Sequence, residues 1–154
     1  MQFVPRRRND IDFIFLVADP DEGRQIKPTL AFYFAENIPV YSIPSIYEGT
    51  HNPSGNSDLD GITFVDSPWM LRPSDIQNRS LEDNLRQATG PIQRLRAMGV
   101  DSFRIYPRLQ QFSSGNISLL RGATGQLLMD ENQIFHRGLE AAQFVDGVAT
   151  LIEQ

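Results

Sequence analysis

Apolar residues along this chain fall into short runs separated by Pro, Gly, Asn and Asp, and the spacing within each run predicts an element. Ile11 to Ala18 is apolar except at Asp12, is closed by Asp19, and is rich in Ile, Phe and Val. Such a run predicts a strand covered on both faces, as in a parallel sheet. Asp19 suits a helix N-cap, Pro20 the first helical position, and Glu22 the third residue of a capping box. The helix that follows is expected to turn Ile26, Leu30, Ala31 and Phe34 inward, with a kink or tight turn at Pro28. Ile38 to Ile43 reads as a second strand and Gly61 to Asp66 as a third. Between them, the polar residues Gly49 to Gly61 read as a surface loop. Ser67 to Pro73 reads as an extended connection, because two prolines at that spacing resist a helix.

Farther along, Ser80 to Gln87 predicts a short helix and Ile92 to about Phe112 a longer one. The longer helix is expected to face the core with Leu95, Met98, Phe103, Leu109 and Phe112, and Gly99 and Pro107 weaken it. Thr124 to Arg137 predicts a hairpin turning at Asp130 to Gln133. Ala141 to Val145 and Val148 to Ile152 predict another, turning at Asp146-Gly147. The pattern is β-α-β-loop-β, then helix, then a β meander: an α/β fold with a Rossmann-like, mostly parallel sheet.

Composition narrows the function classes. With 154 residues the chain is long enough to bury a core, and we read residues 1–154 as a single region. A net charge of −5 argues against nucleic acid, which demands clustered cations. Thirteen of the fourteen basic residues are Arg, Lys27 being the exception. The absence of Cys excludes disulfides, thiolate metal sites and Cys nucleophiles. His51 and His136 alone do not make a metal site, so no metal and no cofactor are expected. Arg6, Arg7 and Arg8 ahead of an apolar run mimic a signal peptide, but Asp10 and Asp12 interrupt the pattern.

The turn after Ala18 is the first candidate for chemistry. A dinucleotide turn needs glycines, whereas Ala18-Asp-Pro-Asp-Glu-Gly23 loses an amide donor at Pro20 and crowds three carboxylates at the positive helix end. It caps its own helix, or contacts a cationic or amine ligand, and is not a phosphate cradle. Gly122 to Gly125 reads as a tight turn, and no nucleophile, base and orienting group assemble, so no enzyme is expected. In an open α/β sheet, ligands sit beyond the carboxyl ends of strands, which places Asp19, Ser45, Tyr47 and Trp69 near a cleft, with Glu48 beside them. The ordinary reading of the same residues is an N-cap, a turn serine and packed aromatics.

The segments LRAMGVDSFRIYPRL (Leu95 to Leu109) and GATGQLLMDENQIFHR (Gly122 to Arg137) carry a resemblance. Together with Asp12 to Asp19, Ile26 to Leu30 and Ser67 to Trp69, they resemble the C-terminal region of the LppC family, outer-membrane lipoproteins that activate penicillin-binding proteins. The resemblance runs from about Asp10 to Ile152. It implies the C-terminal part of a domain related to type I periplasmic solute-binding proteins, from a longer parent or a truncated version of one. It also implies a non-enzymatic regulator in the periplasm, its parent anchored to the outer membrane, whose partner is a bifunctional class A penicillin-binding protein. The other expectation is a small-ligand receptor for an amino acid or peptidoglycan fragment, using Asp19, Ser45, Tyr47 and Trp69. Asp101 is expected to maintain the fold. A half-fold with uncovered sheet edges is expected to dimerise or dissolve poorly in isolation.

Overall fold

The computed structural model describes residues 10–72, 90–115 and 119–152; the helix expected over Ser80 to Gln87 lies outside them. In chain order the elements of the first half are β1 (Ile14–Leu16), α1 (Pro20–Phe32), β2 (Val40–Ser42), α2 (Pro53–Asn56), β3 (Ile62–Asp66) and α3 (Pro68–Leu71). They are followed by α4 (Pro91–Ile105), α5 (Leu109–Ser113), β4 (Leu120–Arg121), β5 (Gln126–Met129), β6 (Phe135–Gly138), β7 (Glu140–Val145) and β8 (Val148–Leu151). The chain divides into two compact units, one built from the described residues up to Val65 and from Ala141 onward, the other from Asp66 to Glu140.

The first unit holds a five-stranded sheet in the order β1-β2-β3-β7-β8. β1, β2 and β3 are parallel, with Phe15 beside Tyr41 and Tyr41 beside Thr63. The hairpin of β7 and β8 is antiparallel, and Asp146 and Gly147 both take positive φ at its turn, the geometry that suits the strand twist. One face of the sheet buries Leu16, Val40, Ile62, Phe64, Ala142 and Phe144. Phe64 and Phe144 stack with centroids 5.0 Å apart, and Tyr47 packs tilted on Phe64 and edge-to-face on Phe144. α1 packs on the 3-10 turns at Pro44–Ile46 and Ser57–Leu59. Gly23 makes this possible, since a Cβ there would come within 2.5 Å of Ile46 Cδ1.

Several expectations need correction. The strand expected over Ile11 to Ala18 is shorter and is covered on one face only: Phe15 is 60% and Val17 66% exposed. β1 lies at the sheet edge, where apolar character does not guarantee a second layer. α1 runs on through Pro28 rather than turning there, and it buries Ile26 and Leu30 only in part. Ala31 and Phe34 are exposed, Phe34 because it lies beyond the helix end at positive φ. The loop expected over Gly49 to Gly61 contains α2, capped by the Asn52 side chain, and a 3-10 turn that buries Leu59.

In the second unit β4, β5 and β6 form a separate antiparallel sheet, so the C-terminal strands are hairpins as expected but serve two sheets. Ser67 to Pro73 is not extended through its described part. Pro68 occupies the first position of α3, where its fixed φ starts a helix and its missing N–H costs nothing. The long helix breaks at Pro107 into α4, a 3-10 turn and α5. Its inward face is also not the apolar one: Leu95, Met98, Phe103 and Leu109 are exposed, whereas Gln93, Ala97 and Asp101 are buried. Phe112 alone of the expected set is buried, edge-to-face on Phe135 at 5.1 Å.

The open face of the parallel sheet carries Phe13, Phe15, Val17, Tyr41 and Val65, a contiguous apolar surface of the kind that drives association. The isolated chain is expected to self-associate with rising concentration in analytical ultracentrifugation, and Phe15→Glu to restore a monomer. A wild-type chain that stays monodisperse and melts cooperatively as a monomer would contradict this.

Candidate functional site

The second unit begins where β3 ends, and its framework is polar. Asp66 is 1% exposed; its Oδ1 accepts from the Ser67 backbone N–H at 2.7 Å and from Arg94 Nε at 3.0 Å, while Arg94 Nη2 donates to Oδ2. This fork-on-carboxylate arrangement fixes both partners in orientation as well as in distance. One turn along, Trp69 Nε1 donates to Gln93 Oε1 at 2.8 Å, and the Trp69 backbone N–H donates to the Ala123 carbonyl at 3.0 Å. Two residues of the first turn of α4 are therefore spent on α3 and its approach. That is why α4 turns a polar face inward.

The opposite end of the same face carries Asp101. Its carboxylate accepts from the backbone N–H groups of Ala123 and Thr124 and from the Thr124 hydroxyl, all at 2.7 Å. Gly122 is required beside it, because a Cβ there would stand 2.5 Å from the carboxylate. Asp101 thus has the fold-maintaining role expected of it. Gly122 to Gly125 is the expected tight turn, closed by Gly122 N–H donating to the Gly125 carbonyl at 2.8 Å.

Between these anchors lies a cavity of about 790 Å³ whose lining includes Trp69, Leu120, Arg72, Arg104, Arg108 and Arg121. Among the described residues Glu140 is the only acid of the lining, and its carboxylate accepts from Arg72 Nε at 2.9 Å. Among the described lining residues, four arginines against one glutamate leave an excess of three positive charges. The sequence reading missed this set because its members come from three separate segments. The visible signals were the four-residue spacing of Arg104 and Arg108 and the strong preference for Arg over Lys.

The residues expected to line a cleft have the following places. Asp19 caps α1: its Oδ1 accepts from Glu22 N–H at 2.9 Å, and Glu22 Oε2 accepts from Asp19 N–H at 3.1 Å. Ser45 donates to the Ala18 carbonyl at 2.7 Å, which brings it next to Asp19. Tyr47 packs in the aromatic cluster of the first unit, and Glu48 is exposed. Trp69 belongs to the second unit and is buried. Among the described residues no three His, Asp or Glu side chains gather as metal ligands. His136 meets Asp130, whose Oδ1 also accepts from Asn132 and Ile134 N–H at 2.9 Å. The His136 bond and then the Ile134 amide hold the Asp130 carboxyl below its ordinary pKa.

Comparison with known proteins agrees with this architecture. The family model "LppC putative lipoprotein" matches residues 1–147. Penicillin-binding protein activator LpoA of Vibrio cholerae serotype O1 is 28% identical over 146 residues, covering 93% of this chain and 24% of that protein. The chain therefore spans about a quarter of the length of that relative. The C-domain of LpoA from Haemophilus influenzae, a regulator of PBP1A, matches with a TM-score of 0.76 at 22% identity, over 96% of this chain and 46% of that one. The leucine-binding protein LivK of Thermotoga maritima matches with a TM-score of 0.53 at 13% identity, over 92% and 44%. At such identities the two structures speak for the fold, which is the periplasmic-binding-protein type expected from the sequence.

Two outcomes are expected of the polar anchors. Asp101→Ala strands two buried N–H groups and should cost about 3 kcal/mol in urea unfolding, Asp101→Asn less, since its side-chain carbonyl still accepts one bond. A loss below 1 kcal/mol for Asp101→Ala would contradict the anchoring role. Asp130 has a depressed folded pKa, so its contribution is present above the ordinary carboxylate range and is lost as the pH falls through the folded value. The stability gap between wild type and Asp130→Asn should therefore narrow progressively below roughly pH 4. A gap that stays constant down to acid unfolding would argue against it.

Proposed function

We propose that this chain, which belongs to the LppC family, is part of a non-enzymatic regulator of peptidoglycan synthesis that activates a bifunctional class A penicillin-binding protein by direct contact. The observation that carries the reading is the 28% identity, sustained over 93% of the chain, to a relative named as an activator of penicillin-binding proteins. On this reading the chain works in the periplasm, within a lipoprotein held at the outer membrane.

Activation by contact has a thermodynamic requirement. The regulator must bind the active form of the synthase more tightly than the inactive form, by the same factor as it shifts their ratio. Such a surface needs large side chains that are free before binding and add area when covered. α4 and the turn after it present them: Phe103 is 82% and Tyr106 79% exposed. Neither side chain contributes to a buried core, so replacing them tests contact without testing folding.

The test is biolayer interferometry of this chain against the purified class A penicillin-binding proteins of its host, with synthase activity measured in parallel. Saturable binding with a rise in activity is expected. The double change Phe103→Ser and Tyr106→Ser should weaken binding by roughly tenfold or more at an unchanged melting temperature. Absence of binding to every class A synthase would overturn the reading, and binding without any change in activity would remove the regulatory step.

A further inference from the structure

The arginine cavity has no part in a regulator that acts by surface contact alone, and its chemistry is specific. An acidic chain, with 14 basic against 19 acidic residues, places four arginines and one glutamate, among the described residues, around one concavity. Arg104 lies in the last turn of α4 and Arg108 four residues on, in the 3-10 turn that follows, and like charges at that spacing repel each other. Arg108 Nη1 donates to the Arg104 backbone carbonyl at 2.7 Å, which ties the Arg108 guanidinium to the last turn of α4. Among the described residues, Arg104, Arg108 and Arg121 have no carboxylate partner. Guanidinium groups present forked donors that match carboxylate and phosphate oxygens, and they stay charged at any physiological pH.

The surroundings are built and held. Trp69 is tied through both its indole and its backbone N–H. The Gly122 to Gly125 turn is locked on Asp101, and Arg121 is set in register against Gln126 on β5. A cavity of about 790 Å³ falls within the roughly 300–1,000 Å³ of small-molecule sites and exceeds what a single inorganic monoanion fills. Trp69 and Leu120 supply apolar wall for a short carbon skeleton. We propose that this cavity binds a small ligand carrying two or more closely spaced anionic oxygen groups, carboxylates or phosphates, which Arg104, Arg108 and Arg121 clamp against the Trp69 wall. Asp19 and Ser45 belong to the first unit, and the Asp19 carboxylate favours a ligand of the opposite charge. The anion site stands or falls independently of the synthase reading.

Isothermal titration calorimetry on the whole chain at low salt tests this, with citrate and inorganic pyrophosphate as probes and acetate as the single-charge control. Saturable one-to-one binding of at least one polyanion is expected, weakening as salt rises, with acetate far weaker. Citrate alone would identify a polycarboxylate ligand, and tighter pyrophosphate a phosphate-bearing one. The double variant Arg104→Gln and Arg108→Gln should lose roughly tenfold or more in affinity, as should Arg121→Gln, while Lys27→Gln in the first unit leaves it unchanged. All four side chains lie outside the buried core, so melting temperatures should hold, and Arg121→Gln keeps the test open if the double variant does not fold. No saturable heat with either polyanion, acetate binding as tightly as citrate, or undiminished affinity in both sets of arginine variants would each overturn the proposal.

Discussion

The second unit is organised by one carboxylate. Asp101 sits at the far end of the polar face of α4 and takes three hydrogen bonds from two consecutive residues, Ala123 and Thr124. A loop of small residues has almost no side-chain surface with which to hold itself, so its position has to come from its backbone. A buried carboxylate supplies this, because it can accept several N–H bonds at once and would be costly to leave unpaired. Once Ala123 is fixed, its carbonyl receives the Trp69 N–H, and Trp69 in turn holds Gln93 at the other end of the same helix face. A closed circuit results, running from α4 to the Gly122 turn, to α3, and back to α4. Asp66 and Arg94 brace it where the chain leaves β3.

The first unit obeys a different constraint. Its core is apolar on one face of the parallel sheet, and the stacked pair Phe64 and Phe144 joins β3 to β7 across the change from parallel to antiparallel pairing. Gln143 donates to the Gly61 carbonyl and the Thr63 hydroxyl, tying the same two strands from the other face. The other face stays apolar where it is exposed. Parallel strands are normally buried on both sides, since their crossovers lay helices over both faces. The exposed Phe13, Phe15, Val17, Tyr41 and Val65 are therefore a feature to be explained by what covers them, and not by strand propensity.

What the sequence reveals follows from how local the physics is. The cap at Asp19, the turn at Asp130 to Gln133 and the turn at Asp146-Gly147 are each set by neighbours a few residues away, and all three were legible. The inward face of α4 was not. Periodicity assigns apolar residues inward, but here Gln93 and Asp101 find partners 22 to 24 residues distant, and those partners decide the rotation of the helix. The connection at Ser67 was misread because Pro68 was counted as a breaker, whereas at the first position it starts a helix. Of the expected cleft residues, the sequence located Asp19 and Ser45 near each other, but Tyr47 and Trp69 went to packing in different units. The arginine cavity had little linear signature beyond the spacing of Arg104 and Arg108, since Arg72, Arg104 and Arg121 come from separate segments that only the fold of the second unit brings together.

That last dependence ties stability to recognition. The cavity walls stand on α3, on the end of α4 and on β4, and the circuit through Asp101 and Trp69 is what holds these three together. Gathering guanidinium groups opposes folding, because like charges brought together repel. The carboxylate of Glu140 offsets one of the four, and Asp101, committed to backbone amides, is not available to offset another. The remaining charge must be held in place by hydrogen bonds made elsewhere, which makes the buried polar circuit the structural condition for the charged cavity. An anion that neutralises the arginines would then stabilise the folded form as it binds, since the repulsion it removes exists only there.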